Sequence, residues 1–118
     1  MDIQGIHSSY YTVRDADALT KFYSAFLGEP VMHMPGRFTE WNFGDGTSFG
    51  LYGTPDAEAG SSGSVMFGVA DLPKALDELR ALGVTLHGDG EITDTPVCTM
   101  AFGEDPEGNQ FIVHSRKG

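Results

Sequence analysis

The stretch that decides the fold is Met100-Ala101-Phe102-Gly103-Glu104-Asp105-Pro106-Glu107-Gly108-Asn109, running on into Gln110-Phe111-Ile112-Val113-His114. Apolar and polar residues alternate on either side of a knot of Asp, Pro, Gly and Asn. That is the pattern of two strands joined by a tight turn. Upstream, Phe43-Gly44-Asp45-Gly46 turning into Ser48-Phe49-Gly50-Leu51-Tyr52 has the same form. A motif that closes the chain and also closes its first half points to an internal repeat.

The segments that precede the two hairpins also repeat. Val13-Arg14-Asp15 opens a segment that ends in Phe26-Leu27-Gly28, and Val69-Ala70-Asp71 opens one that ends in Ala81-Leu82-Gly83. Leu19, Phe22 and Phe26 fall on one face of the first helical pattern; Leu76, Leu79 and Leu82, beside Ala75, do so in the second. Asp15 and Asp71 are placed to cap free N–H groups, and Pro73 fits a first turn, where its missing N–H costs little. Gly28 and Gly83 suit the left-handed residue that ends a helix. Between helix and hairpin lie strand-like runs: Val31 to Met34 and Phe38 to Phe43, then Val84 to His87 and Val97 to Phe102.

The expected fold class is therefore α+β, two βαβββ modules, the first over about 1–53 and the second over about 64–118. The polar Gly/Ser-rich segment 54–63 (TPDAEAGSSG) reads as a flexible connector. Neither module alone buries both faces of its sheet, so the two are expected to pack together or onto another chain, within one domain spanning 1–118.

Composition bounds the function. The chain has 118 residues, 40% hydrophobic and 20% charged, enough for one modest globular core. No stretch approaches the ~18 apolar residues of a spanning helix. The start, MDIQGIHSS, lacks the basic and apolar regions of a secretory signal, which leaves the cytoplasm as the expected location. Seven Lys and Arg against 17 Asp and Glu give a net charge of −10, which disfavours nucleic acid and anionic membrane surfaces as partners and favours cations. Cys98 is the only cysteine, so there is no intrachain disulfide and no thiolate cluster. It has no basic neighbour in sequence that would make it a nucleophile.

With this order of motifs the chain resembles the vicinal oxygen chelate superfamily, the glyoxalase, bleomycin-resistance and dioxygenase group. The residues that carry the resemblance are Met100 to Asn109 in the final hairpin, and Asp15 through Phe22-Tyr23 to Leu27-Gly28 in the first helix. The resemblance implies sheets that curl into a cleft, usually in a homodimer. It also implies that enzymes of the group hold a divalent metal there through His and Glu on the first and last strands of each module. By that analogy the ligand positions here are Ser8, Gly50, Ser64 and Ile112. Hydroxyl, hydrogen, hydroxyl and hydrocarbon are poor company for a divalent ion, so no metal and no other cofactor is expected. His7 is offset by one residue from Ser8 and is expected to point away, whereas His114 shares the face of Ile112. His33 and His87 lie near strands whose register the sequence leaves open, so a rebuilt metal centre stays an alternative.

Strand alternation supplies a candidate ligand-binding set: Ser8, Tyr10, Phe38, Glu40, Tyr52, Ser64, Met66, Ile112 and His114. Thr12, Asn42, Ser48, Gly68 and Gln110 share those faces, while Trp41 and Phe43 are expected in the core. Rings, a thioether and a few polar groups suit a small, flat, partly apolar organic molecule. Glu40 is placed to pair with a cation or to act as a base. The leading expectation is a metal-independent binding protein, a homodimer sequestering an aromatic or cationic compound. The alternatives are a metal-dependent lyase, isomerase or dioxygenase with non-standard ligands, and an interaction module without a ligand.

Overall fold

A computed structural model describes all residues, 1–118. The chain falls into two compact units, Met1–Ala59 and Gly60–Gly118. Unit 1 runs β1 (Ser8–Val13), α1 (Ala16–Leu27), β2 (Met32–Met34), β3 (Phe38–Asn42) and β4 (Ser48–Gly53), with strand order β1-β4-β3-β2. Strands β1 and β4 are parallel and the other pairs antiparallel. The α1 crossover makes the parallel pair possible, because a tight turn can only reverse the chain.

Unit 2 repeats the plan with β5 (Ser64–Gly68), α2 (Leu72–Ala81), β6 (Thr85–Leu86), β7 (Thr93–Asp94), β8 (Cys98–Glu104) and β9 (Gln110–Arg116). Its order is β5-β9-β8-β6, with β7 also paired to β8 and β5 parallel to β9. Here the edge strand that follows the helix is broken in two. His87-Gly88-Asp89-Gly90 carries three consecutive positive φ angles (58°, 56° and 87° from Gly88 on), which stop β6 in a short 3₁₀ turn before pairing resumes.

The helix ends form as their residues dictate. The carboxylates of Asp15 and Asp71 accept the N–H groups of Ala18 and Lys74 at 3.0 and 3.1 Å, and Pro73 sits in the first turn of α2. Gly28 ends α1 at φ 88° and donates its N–H to Ser24 O. Leu82, expected on the apolar face of α2, instead lies past its end and is exposed; Leu72, Leu76 and Leu79 make the buried stripe.

The core of unit 1 is aromatic. Tyr23 of α1 is fully buried against Tyr11, Trp41 and Phe49, with ring centroids 5.2–6.4 Å apart. Trp41 stacks on Phe49 and donates its indole N–H to Gly28 O at 2.9 Å, tying the end of α1 to β3. Phe43, expected in the core, lies just beyond β3 and is half-buried. Unit 2 packs Leu72, Leu76 and Leu79 with the buried Ala101, Phe111 and Val113. Gly103 has no substitute there: a Cβ would lie 2.7 Å from Phe111 Cζ.

The two hairpin turns are equivalent, but not in the register their Phe-Gly pairs suggest. Phe43 N–H bonds Thr47 O and Gly46 N–H bonds Phe43 O; Asp105 N–H bonds Asn109 O and Gly108 N–H bonds Asp105 O. Phe43 thus corresponds to Asp105, while Phe102 and Gly103 lie inside β8. The connector, for all its Gly and Ser, is held at both ends. Thr54 N–H bonds Val13 O, Arg14 Nε bonds Ala57 O, and Ser62 N–H bonds Asn109 Oδ1.

Candidate functional site

In each unit the helix covers one face of the sheet, and the residues that alternate with the core make up the other. Register fixes this second face in unit 1 as three rows: Ser8, Ser48 and Asn42; Tyr10, Gly50, Glu40 and Met32; Thr12, Tyr52, Phe38 and Met34. Every unit 1 candidate read from the sequence lies here. Tyr10 and Tyr52 are 58% and 53% exposed, large values for rings within a sheet. Tyr52 lies 5.8 Å from Tyr10 and 5.5 Å from Phe38, centroid to centroid, so the three rings form one continuous patch. Gly50 lies beneath them. A Cβ added to it would stand 3.0 Å from Thr39 O, 3.5 Å from Phe38 Cε1 and 3.6 Å from Tyr10 Cβ. The position offers ring carbon where a relative's carboxylate would need room.

The corresponding face of unit 2 has Ser64, Gln110, Glu104 and Thr85 in one row, Met66, Ile112 and Phe102 in the next, and Gly68, His114, Met100 and Thr93 in a third. Gln110 Nε2 donates to Ser64 Oγ at 2.8 Å, and His87 Nε2 lies 3.5 Å from Glu104 Oε2. His114 sits opposite Gly68, whose missing side chain leaves the imidazole room. Its Nδ1 is buried without a hydrogen-bond partner, which leaves Nε2 as the ring nitrogen available to make a bond.

Met32, Met34, Met100 and Phe102 also belong to these faces, although sequence reading does not single them out. Met32 opposes Glu40, Met34 opposes Phe38, and Met100 and Phe102 oppose His114 and Ile112. With Met66, all four internal methionines therefore stand on the faces opposite the helices, and none is among the buried core residues. Methionine is ordinarily among the most buried residue types. An apolar surface of flexible, polarisable side chains is one that can shape itself to what it touches.

The remaining histidines are accounted for. His33 Nδ1 lies 2.8 Å from the fully buried Thr39 hydroxyl, which lies 2.7 Å from that of Thr20. His33 Nε2 is 3.6 Å from Asp17 Oδ1, and the same carboxylate accepts the Gly36 N–H. This network fastens the β2–β3 hairpin, and with it Met32 and Met34, to the start of α1. His7 precedes β1 and is exposed. Cys98 is buried, its Sγ 3.4 Å from Thr95 Oγ1.

The divalent metal implied by the resemblance can be tested against these residues. Ser8 and Gly50 lie on the same face one row apart, as Ser64 and Ile112 do in unit 2. The unit 1 pair offers a hydroxyl and a hydrogen, and the unit 2 pair a hydroxyl and an alkyl group. Nowhere in the chain are three or more His, Cys, Asp or Glu side chains grouped so that they could hold a metal ion. The donor set does not fit.

Comparison with known proteins agrees with the fold. TnmS3, an antibiotic binding protein from Streptomyces, superimposes with a TM-score of 0.83 at 23% identity, over 99% of each chain. A lactoylglutathione lyase from Agrobacterium tumefaciens gives 0.77 at 18% identity, over 97% of this chain and 95% of that one. A glyoxalase/bleomycin resistance protein from Catenulispora acidiphila gives 0.74 at 18%, over 94% and 98%. No curated protein matches the sequence. No helix is long and apolar enough to cross a membrane. A family model described as a glyoxalase-like domain matches residues 10–114, so the chain belongs to the glyoxalase-like family.

Proposed function

We propose that this protein binds a small, flat, partly apolar and positively charged organic molecule, and does so without a metal. The observation that carries the reading is the face of unit 1. Tyr10, Phe38 and Tyr52 make a continuous aromatic patch beside one carboxylate, Glu40, at the place where a metal-binding relative would need a ligand side chain. Ser8 completes the set in unit 1, with Ser64, Met66, Ile112 and His114 in unit 2. Rings and thioethers supply apolar contact, and the few polar groups set orientation. The net charge of −10 favours a cationic ligand over an anionic one. The likeness in fold to an antibiotic binding protein supports a binding role. On this reading the two modules and the connector 54–63 work as one domain, in a cytoplasmic homodimer.

The test is a thermal-shift screen of planar aromatic compounds against protein stripped with EDTA, with proflavine as the cationic probe. Stabilisation by proflavine that exceeds that by an anionic ring system of equal size supports the proposal. No stabilisation by any planar compound, in stripped protein that is folded by circular dichroism, refutes it. Light scattering at micromolar concentration tests the dimer separately.

A further inference from the structure

We infer that Tyr10, Phe38, Tyr52 and Glu40 form a recognition corner for an alkylated ammonium group. This rests on the binding reading above and specifies the part of the ligand that unit 1 takes. Glu40 is half-buried, and its carboxylate makes no hydrogen bond or ion pair within the protein. Its neighbours on the face are Met32, Phe38, Asn42 and Gly50, and no Lys, Arg or His belongs to the three rows. No cationic side chain in these rows neutralises the carboxylate, which leaves it placed to pair with a bound cation.

The rings decide what kind of cation fits. Tyr10 and Tyr52 are inclined at 46°, and Phe38 and Tyr52 at 63°. Inclined rings make a corner rather than a slot with parallel walls. A corner receives a rounded group on several π-faces at once, whereas a planar guanidinium stacks best against a single flat wall. A metal ion or primary ammonium is strongly hydrated, and giving up that water to rings costs more than it does for an alkylated ammonium. An alkylated ammonium spreads its charge over C–H groups that rings and a neighbouring carboxylate can both contact. Met32 and Met34, in the adjoining positions, provide apolar surface for the rest of the molecule.

The experiment is a titration of uniformly ¹⁵N-labelled protein with choline and with its neutral carbon isostere, 3,3-dimethylbutan-1-ol. Choline is expected to move the amide signals of Tyr10, Glu40, Gly50 and Tyr52, and to bind about tenfold more tightly than the alcohol. Glu40→Gln keeps the size of the side chain and should weaken choline by about the same factor while leaving the alcohol unchanged. Tyr52→Leu should weaken choline as well. A variant counts only if its spectrum retains the dispersion of the folded parent, and Glu40→Asn serves if Glu40→Gln does not. Equal affinity for the two probes, or shifts confined to residues away from this corner, overturns the inference. If proflavine stabilises the protein but choline does not move these signals, the corner fails while the binding reading stands. If neither binds, both fail.

Discussion

Trimming Asn109 to alanine tests the turn from which the fold is read. Asn109 is fully buried, and Asp105 is nearly so. The Asp105 carboxylate accepts the backbone N–H groups of Glu107 and Asn109 at 2.9 and 3.0 Å, and the Asn109 side-chain amide at 3.1 Å. The amide oxygen of Asn109 in turn accepts the Ser62 N–H at 3.1 Å, holding the end of the connector against the turn. Asn109→Ala removes one charge-assisted bond, worth about 1.5–3 kcal/mol, and one neutral bond, worth about 0.5–1.5 kcal/mol. The sum is a loss of about 2–4.5 kcal/mol. At about 4 °C per kcal/mol for a chain of this size, the midpoint of thermal unfolding should fall by about 8–18 °C. Circular dichroism measures that fall. Hydrogen exchange adds a local signature: the Ser62 amide should lose its protection while the Asp105 amide, bonded to Asn109 O, keeps it. A midpoint within about 2 °C of the parent, with Ser62 still protected, would show that these bonds do not hold the turn.

Three further outcomes are expected. Gly103→Ala should destabilise by about 1–3 kcal/mol in denaturant titration, because its Cβ would enter the Phe111 ring; a neutral result would mean that β8 and β9 part easily. Hydroperoxide treatment should convert the exposed thioethers of Met32, Met34 and Met66 to sulfoxides and weaken proflavine binding without unfolding, as followed by mass spectrometry and fluorescence. Asp45 accepts hydrogen bonds from the Thr47 hydroxyl and N–H, which lower its pKa from 3.8. Those bonds favour the charged carboxylate, so their contribution is present in full above that value and is lost as pH falls through the folded-state value. Asp45→Asn should therefore flatten the acid limb of the stability profile and leave its shape at neutral pH unchanged.

How much of this was legible in the sequence depended on where the physics is local. Helix caps at Asp15 and Asp71, the glycine at the end of α1 and the alternation of Tyr10 with Tyr11 follow from neighbouring residues, and the structure has them where the sequence puts them. Register between strands does not follow from neighbours. Met32 and Met34 stand in a three-residue strand after Pro30, and only pairing with Glu40 and Phe38 shows which way they face. The break after Leu86 depends on left-handed backbone at Gly88, Asp89 and Gly90, and at Asp89 no glycine announces it. Thr39 is likewise opaque: a hydroxyl in an alternating strand gives no sign that Thr20 and His33 will seal it. For the candidate site, parity placed Tyr10, Phe38, Glu40 and Tyr52 on one face. The meeting of their rings around Gly50 comes from the pairing of β1, β4 and β3.

The most direct test of the account is calorimetric titration of proflavine into the protein, first after exhaustive treatment with EDTA and then with stoichiometric Zn, Ni, Mn or Fe added back. The same affinity is expected in every case, because the hydroxyls of Ser8 and Ser64 are weak donors and Gly50 and Ile112 have no donor atom in their side chains. Binding that disappears with the chelator and returns with one equivalent of metal would contradict it.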